Sequence, residues 1–284
     1  MAAAFAIMPT VPRRVGTRLD VLGAIALFGG LLCLIGPLLF GHDVHWAPWI
    51  WLVMAAGAAI VAGFLRLERI VADHGGMPLI DPALLSDATF MRGLCAAFCF
   101  FFANLSFYLI MTIFMQNALH IPPVRAGMVF LPLTLAFVIA SRHSAARVQH
   151  RGTLVLLEGC ALQTIGLATL ALTVALDEAP SASLLAVVLT IFGYGQGLAM
   201  ALLSSAVLST VKPASAGSGA GMYGTVAQIA NAAGVAAIGA VFFATQATLS
   251  ARLALFVSLA LFAASIAICA AFLSWMRCAA PVVR

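Results

Sequence analysis

The feature that most restricts this chain is a series of long, uninterrupted apolar runs. Eight windows of roughly 20 mainly apolar residues, the length a helix needs to cross the hydrocarbon of a bilayer, cover residues 19–40, 47–65, 90–116, 122–140, 153–176, 183–210, 217–243 and 253–275. Inside lipid only helices and closed barrels satisfy their backbone polar groups, and barrel strands alternate apolar with polar residues. These runs are continuous, so the expected fold is all-α: a polytopic membrane bundle of about eight transmembrane helices in contact with a lipid bilayer. Composition agrees, with 64% hydrophobic and 8% charged residues and a mean hydropathy of +1.13, far outside the soluble range.

The basic residues sort by side of the membrane. Arg13, Arg14, Arg18, Arg66, Arg69, Arg92, Arg142, Arg147, Arg151, Lys212, Arg277 and Arg284 fall on one side, against Arg125 and Arg252 on the other. Cytoplasmic segments carry the excess of Lys and Arg, so both termini are expected in the cytoplasm of a cell-membrane protein. The pI near 9.1 follows from this asymmetry and gives no reason to invoke nucleic acid. Cys33, Cys95, Cys99, Cys160, Cys269 and Cys278 fall in or at the ends of helices without CxxC or Cys/His spacing. They read as small apolar residues, so no metal and no cofactor is expected.

A hydrophilic stretch at 66–89 divides two leading helices from six trailing ones. The expected organisation is an N-terminal segment 1–18, a two-helix pair 19–65, a cytoplasmic loop 66–89, a six-helix half 90–276 and a tail 277–284. Six helices of this kind can form one half of a transporter built from two three-helix repeats.

Between Met77 and Phe90, "MPLIDPALLSDATF" resembles the segment that leads into the second half of the fourteen-helix drug/proton antiporters of the major facilitator superfamily. "AGMVFLPL" (Ala126 to Leu133), "GYGQGL" (Gly193 to Leu198), "AGSGAG" (Ala216 to Gly221) and "TVAQIANAAGVAAIGAVF" (Thr225 to Phe242) are similar, in order, to later motifs of that family. In the last, Thr225, Gln228, Gly234, Val235 and Ala236 match, while Ala227, Ala230 and Asn231 depart from Arg, Gly and Gly. "RLDVLGAIAL" (Arg18 to Leu27) resembles the opening of the family's seventh helix. The resemblance therefore covers only the C-terminal eight helices of the pattern. It implies that "MAAAFAIMP" is the end of a sixth helix in a longer ancestral frame; a short amphipathic lead-in is the alternative.

Ionisable groups at membrane depth are costly and mark function. All six histidines, and every carboxylate but Glu158, fall in loops or at helix ends on this reading. Glu158 lies about 8 Å into its helix at 1.5 Å per residue. It either pairs with an Arg of the preceding loop or serves as a coupling carboxylate. Asn104, Tyr108, Thr112 and Gln116 recur every fourth residue and form one stripe. Such groups either glue helices together or line a substrate path; the resemblance points to the path, with Tyr194 and Gln196 as matching candidates. "RVQHRG", with Arg147, His150, Arg151 and Gly152, is similar to the family's cytoplasmic loop but has Ala146 and His150 where Gly and Asp are expected.

Gly193 with Gly197, and Gly217 with Gly221, form GxxxG pairs that let helix backbones approach. Thr225, Gln228 and Asn231 are expected to face protein or a wet cavity. "GPLLFG" (Gly36 to Gly41) is a helix end broken by Pro37, and "GSGAGMYG" lacks the Lys-Ser/Thr of a phosphate loop. Neither indicates an enzyme. The expectation is thus a partial transporter resembling a multidrug/proton antiporter, acting on small amphipathic molecules and inactive without a separately encoded N-terminal six-helix half. The alternatives are a non-transporting membrane scaffold and a truncated remnant.

Overall fold

The computed structural model describes residues 21–40, 47–73, 82–152, 154–177 and 179–279. The N-terminal segment 1–18, the middle of the 66–89 loop, the end of the tail and the side chain of His150 lie outside them. The described residues form helices and no strand. In chain order these are α1 (Val21–Phe40), α2 (Pro48–Asp73), the short α3 (Pro82–Ser86), α4 (Ala88–Ile113), α5 (Pro123–Arg151), α6 (Leu154–Leu176), α7 (Ala182–Leu208), α8 (Ala216–Thr248) and α9 (Ala251–Ala279). A π turn, Phe114–Ala118, extends α4, and a 3₁₀ turn, Pro213–Ser215, precedes α8.

Among the described residues seven helices, α2 and α4 to α9, are long and apolar enough to span a membrane. The first window, 19–40, is helical in α1, but its apolar stretch there is the shorter Ile25–Pro37. One boundary departs from the apolar pattern. α2 continues past residue 65 to Asp73, which places Glu68 inside a helix and buries it to 3% exposure. Phe64 and Glu68 face inward one turn apart while Leu67, Ile70 and Val71 stay exposed, and no Gly or Pro stops the helix before Gly75.

Local chemistry sets the helix ends. Asp87 caps α4, its Oδ1 accepting from the Thr89 and Phe90 amides at 2.8 and 3.1 Å. Ser181 caps α7 through the Leu184 amide. α5 starts at Pro123, where a missing N–H costs nothing, and stops at Gly152, whose φ of +55° most residues avoid.

The six helices α4 to α9 pair in a pattern with internal symmetry. The extensive pairings are α5 with α7, α6 with α7, α4 with α8, and α4 with α9; α6 also packs on α9, α8 on α9 and, less extensively, α5 on α6. Exchanging α4 for α7, α5 for α8 and α6 for α9 maps this set onto itself. Two three-helix repeats generate such a pattern, and the pseudo-axis passes where α4 meets α7 and α6 meets α9. Aromatic rings fill that centre: Phe107 stacks on Phe192 at 4.1 Å and meets Phe262 edge-on at 5.7 Å.

Lipid supplies no hydrophobic drive between helices, so close backbone approach must hold them. A Cβ added to Gly193 or Gly197 would overlap the carbonyls of Leu133 or Phe137 on α5, and one added to Gly234 would overlap Phe102 O on α4. These two seams are symmetry equivalents. The α1–α2 pair closes in the same way, with the site of a Gly57 Cβ 2.8 Å from Gly30 O. That pair leans on α8 through α1.

Candidate functional site

At the pseudo-axis three polar side chains form a relay. Asn104 and Tyr108 stand one turn apart on α4, and Gln196 faces them from α7, buried to 3% exposure. The Tyr108 hydroxyl donates to Gln196 Oε1 at 2.6 Å, and Gln196 Nε2 donates to Asn104 Oδ1 at 2.5 Å. Together these bonds use one acceptor and one donor of the Gln196 amide, which fixes its orientation. Thr112, the next residue of the stripe, turns its hydroxyl back onto Tyr108 O at 2.7 Å. Gln116 lies in the π turn and is partly exposed.

Helical periodicity explains how one short motif serves three neighbours. At about 100° per residue, Gly193 and Gly197 of "GYGQGL" share the face toward α5, Gly195 points oppositely, and Gln196 points toward α4. A Cβ on Gly195 would lie 2.5 Å from Gln163 N on α6. Tyr194 does not join the relay; its hydroxyl meets His143 Nδ1 of α5 at 3.0 Å. The two residues paired in the sequence reading thus belong to separate contacts.

Gln163 on α6 was not singled out by the sequence. It is buried to 1% exposure, and its Oε1 has no hydrogen-bond partner. It borders narrow crevices, nowhere wide enough for water, shared with Asn104, Phe100, Phe107, Phe192 and Phe262. A lone amide in an apolar run has no periodicity, so only its position in the fold reveals it.

Glu158 sits near the start of α6 and accepts from Arg151 NH1 at 2.7 Å, with Arg147 NH1 at 3.9 Å. The segment "RVQHRG", expected as a loop, is the last turn of α5 and its Gly152 cap, and Arg147 and Arg151 form one charge cluster with this carboxylate across the turn. On the opposite end of α6, Arg252 donates to the carbonyls of Val174 and Ala175 at 2.6 and 3.2 Å. It caps that helix where the last turn leaves acceptors open.

α8 has two different faces. Ala227, Ala230 and Gly234 are buried against the bundle, whereas Gly217, Gly221 and Gln228 are exposed. Among the described residues no atom lies within 4 Å of a Cβ placed on Gly217, Gly221 or Gly224. Thr225 and Asn231 are partly buried between the two faces. Among the described residues no group of three His, Cys, Asp or Glu side chains could hold a metal. The relay offers neutral donors and acceptors among aromatic rings, which suits recognition rather than bond cleavage.

Several known proteins are similar to this chain in sequence. The chain is 29% identical over 256 residues to a probable actinorhodin transporter of Streptomyces coelicolor, covering 88% of this chain and 44% of that protein. It is 27% identical over 241 residues to multidrug resistance protein Stp of Mycobacterium tuberculosis, covering 83% and 43%. With the puromycin resistance protein of Streptomyces alboniger it shares 26% identity over 233 residues, covering 81% and 46%. The chain thus spans less than half the length of these relatives. The sequence model of the Major Facilitator Superfamily matches residues 1–235. With the symmetric six-helix pairing and a bundle of apolar spanning helices, this match establishes that the chain is a multi-pass membrane protein belonging to the Major Facilitator Superfamily.

Proposed function

We propose that this chain is one part of a drug exporter resembling the drug/proton antiporters, in which it supplies one wall of a central cavity. A further six-helix half, for which the longer relatives have room, supplies the other, and rocking of the two gives alternating access to small amphipathic molecules. The uncovered face of α8 carries this reading. Gln228 lies about 18 Å along its helix at 1.5 Å per residue, and it is exposed beside glycines that touch nothing. An amide at that depth is poorly matched to hydrocarbon and well matched to protein or a wet cavity. The names of the relatives, which refer to drug resistance and antibiotic transport, support the substrate class.

On this reading the relay of Asn104, Tyr108 and Gln196, with Thr112, Gln116 and Tyr194 nearby, lines the substrate path. Gly193, Gly197, Gly217, Gly221, Thr225, Gln228 and Asn231 serve helix interfaces, those of α8 toward the other six-helix half. Glu158, held by Arg151 and Arg147, is structural and not the coupling carboxylate. The termini are cytoplasmic, following the positive-inside rule.

The chain expressed alone is expected to give no proton-dependent export of a fluorescent cationic dye above a vector control. Export by the single chain would overturn the proposal. Pull-down of an unrelated membrane protein through the α8 face, without export in any combination, would favour the scaffold.

A further inference from the structure

We propose that Gln163 is a positioning residue for the relay, acting as a second hydrogen-bond partner that takes Asn104 away from Gln196. The observation is an orphaned acceptor. Gln163 Oε1 is buried to 1% exposure without a donor, and it borders the same crevices as Asn104. Those crevices are too narrow for water, so water cannot satisfy it. The side chain of Asn104 can, because its Oδ1 accepts from Gln196 while its Nδ2 carries two further N–H donors.

Two arrangements then exist. In the one seen here, Gln196 Nε2 donates to Asn104 Oδ1 and Gln163 Oε1 lacks a donor. In the other, Asn104 turns into the crevice, its Nδ2 donates to Gln163 Oε1, and Gln196 Nε2 is released on the Tyr108 side. The first leaves Gln163 Oε1 and Asn104 Nδ2 unpaired, the second Gln196 Nε2 and Asn104 Oδ1, so the number of hydrogen bonds is the same and the two are closely balanced. The seam between α6 and α7 suits such an exchange. Gly159, Gly166 and Gly195 bring the backbones together without interlocking side chains: Cβ atoms on them would lie 2.7 Å from Ala199 N, 2.7 Å from Phe192 N and 2.5 Å from Gln163 N. As a step that frees Gln196 for a substrate, the exchange rests on the transport reading above; as a movement of hydrogen bonds it does not.

The test reads only the movement. In the full chain, ¹⁵N-labelled at Asn and Gln side chains and held in lipid nanodiscs, the amide signals of Asn104 and Gln196 are expected to show exchange on the microsecond to millisecond scale by relaxation dispersion. Gln163→Met, which fills the same space without an acceptor, is expected to abolish it, and Gln163→Leu serves where Met is not tolerated. Unexchanging signals in the unmodified chain, or equal exchange after substitution, would overturn the proposal. Absence of drug export would leave this result unchanged, so failure of the two readings is separable.

Discussion

Gly197 of α7 lies against the backbone carbonyl of Phe137 on α5 so closely that even one added carbon would overlap the oxygen. Gly197→Ala is therefore expected to destabilise the bundle by about 1–3 kcal/mol, as overpacking does in tight interiors. Thermal unfolding of the purified chain in detergent measures the loss. An unchanged midpoint would show that α5 and α7 are not in backbone contact.

Gly221 gives the opposite expectation although it has the same spacing to a second glycine. Nothing lies within 4 Å of its added Cβ, so Gly221→Leu leaves the stability of the isolated chain within about 0.5 kcal/mol. The same substitution is expected to abolish co-purification with a supplied six-helix half. Undiminished co-purification would move the partner's seat away from this face.

Gln196 serves two partners, and its replacement strands both. Gln196→Leu is expected to cost about 1–3 kcal/mol by leaving the Tyr108 hydroxyl and the Asn104 carbonyl unpaired, whereas Tyr108→Phe removes one donor and costs about 1 kcal/mol. Comparison of the two unfolding midpoints in one detergent checks the order. Equal losses would mean that Asn104 gains nothing from Gln196.

Glu158 is partly exposed at 34%, and its partners Arg147 and Arg151 are more so. Exposed pairs of this kind contribute about 0–1 kcal/mol, so Glu158→Gln is expected to change stability little at physiological salt. If the carboxylate carried the coupling proton, the substitution would abolish export by the assembled transporter. Export in the presence and absence of a proton gradient distinguishes the two roles.

The spanning helices were legible because a 20-residue apolar run has one stable solution in lipid. α2 ran beyond its apolar window because charged residues do not stop a helix, and no Gly or Pro follows the window before Gly75. Glycine spacing was less informative. Gly193 with Gly197 and Gly217 with Gly221 share one pattern, yet the first pair meets a neighbouring helix and the second meets nothing among the described residues. Sequence gives the smoothness of a face but not what covers it. The stripe from Asn104 to Gln116 was visible from its four-residue step, but its partner Gln196 and the orphaned Gln163 depend on how α6 and α7 dock. The pairing of Tyr194 with His143, rather than with the relay, follows from the 100° that separates adjacent residues on a helix.

Arg252 also sets a clock. The carbonyls of Val174 and Ala175 wait for a guanidinium 78 positions after Val174 in the chain. At about 5–20 residues per second of synthesis, α6 stands in the membrane for about 4–16 s before its own cap is made. During that interval the helix end depends on water and lipid headgroups, and a ribosome that pauses within α8 prolongs it. The α8–α9 hairpin is thus the one that completes a helix inserted long before.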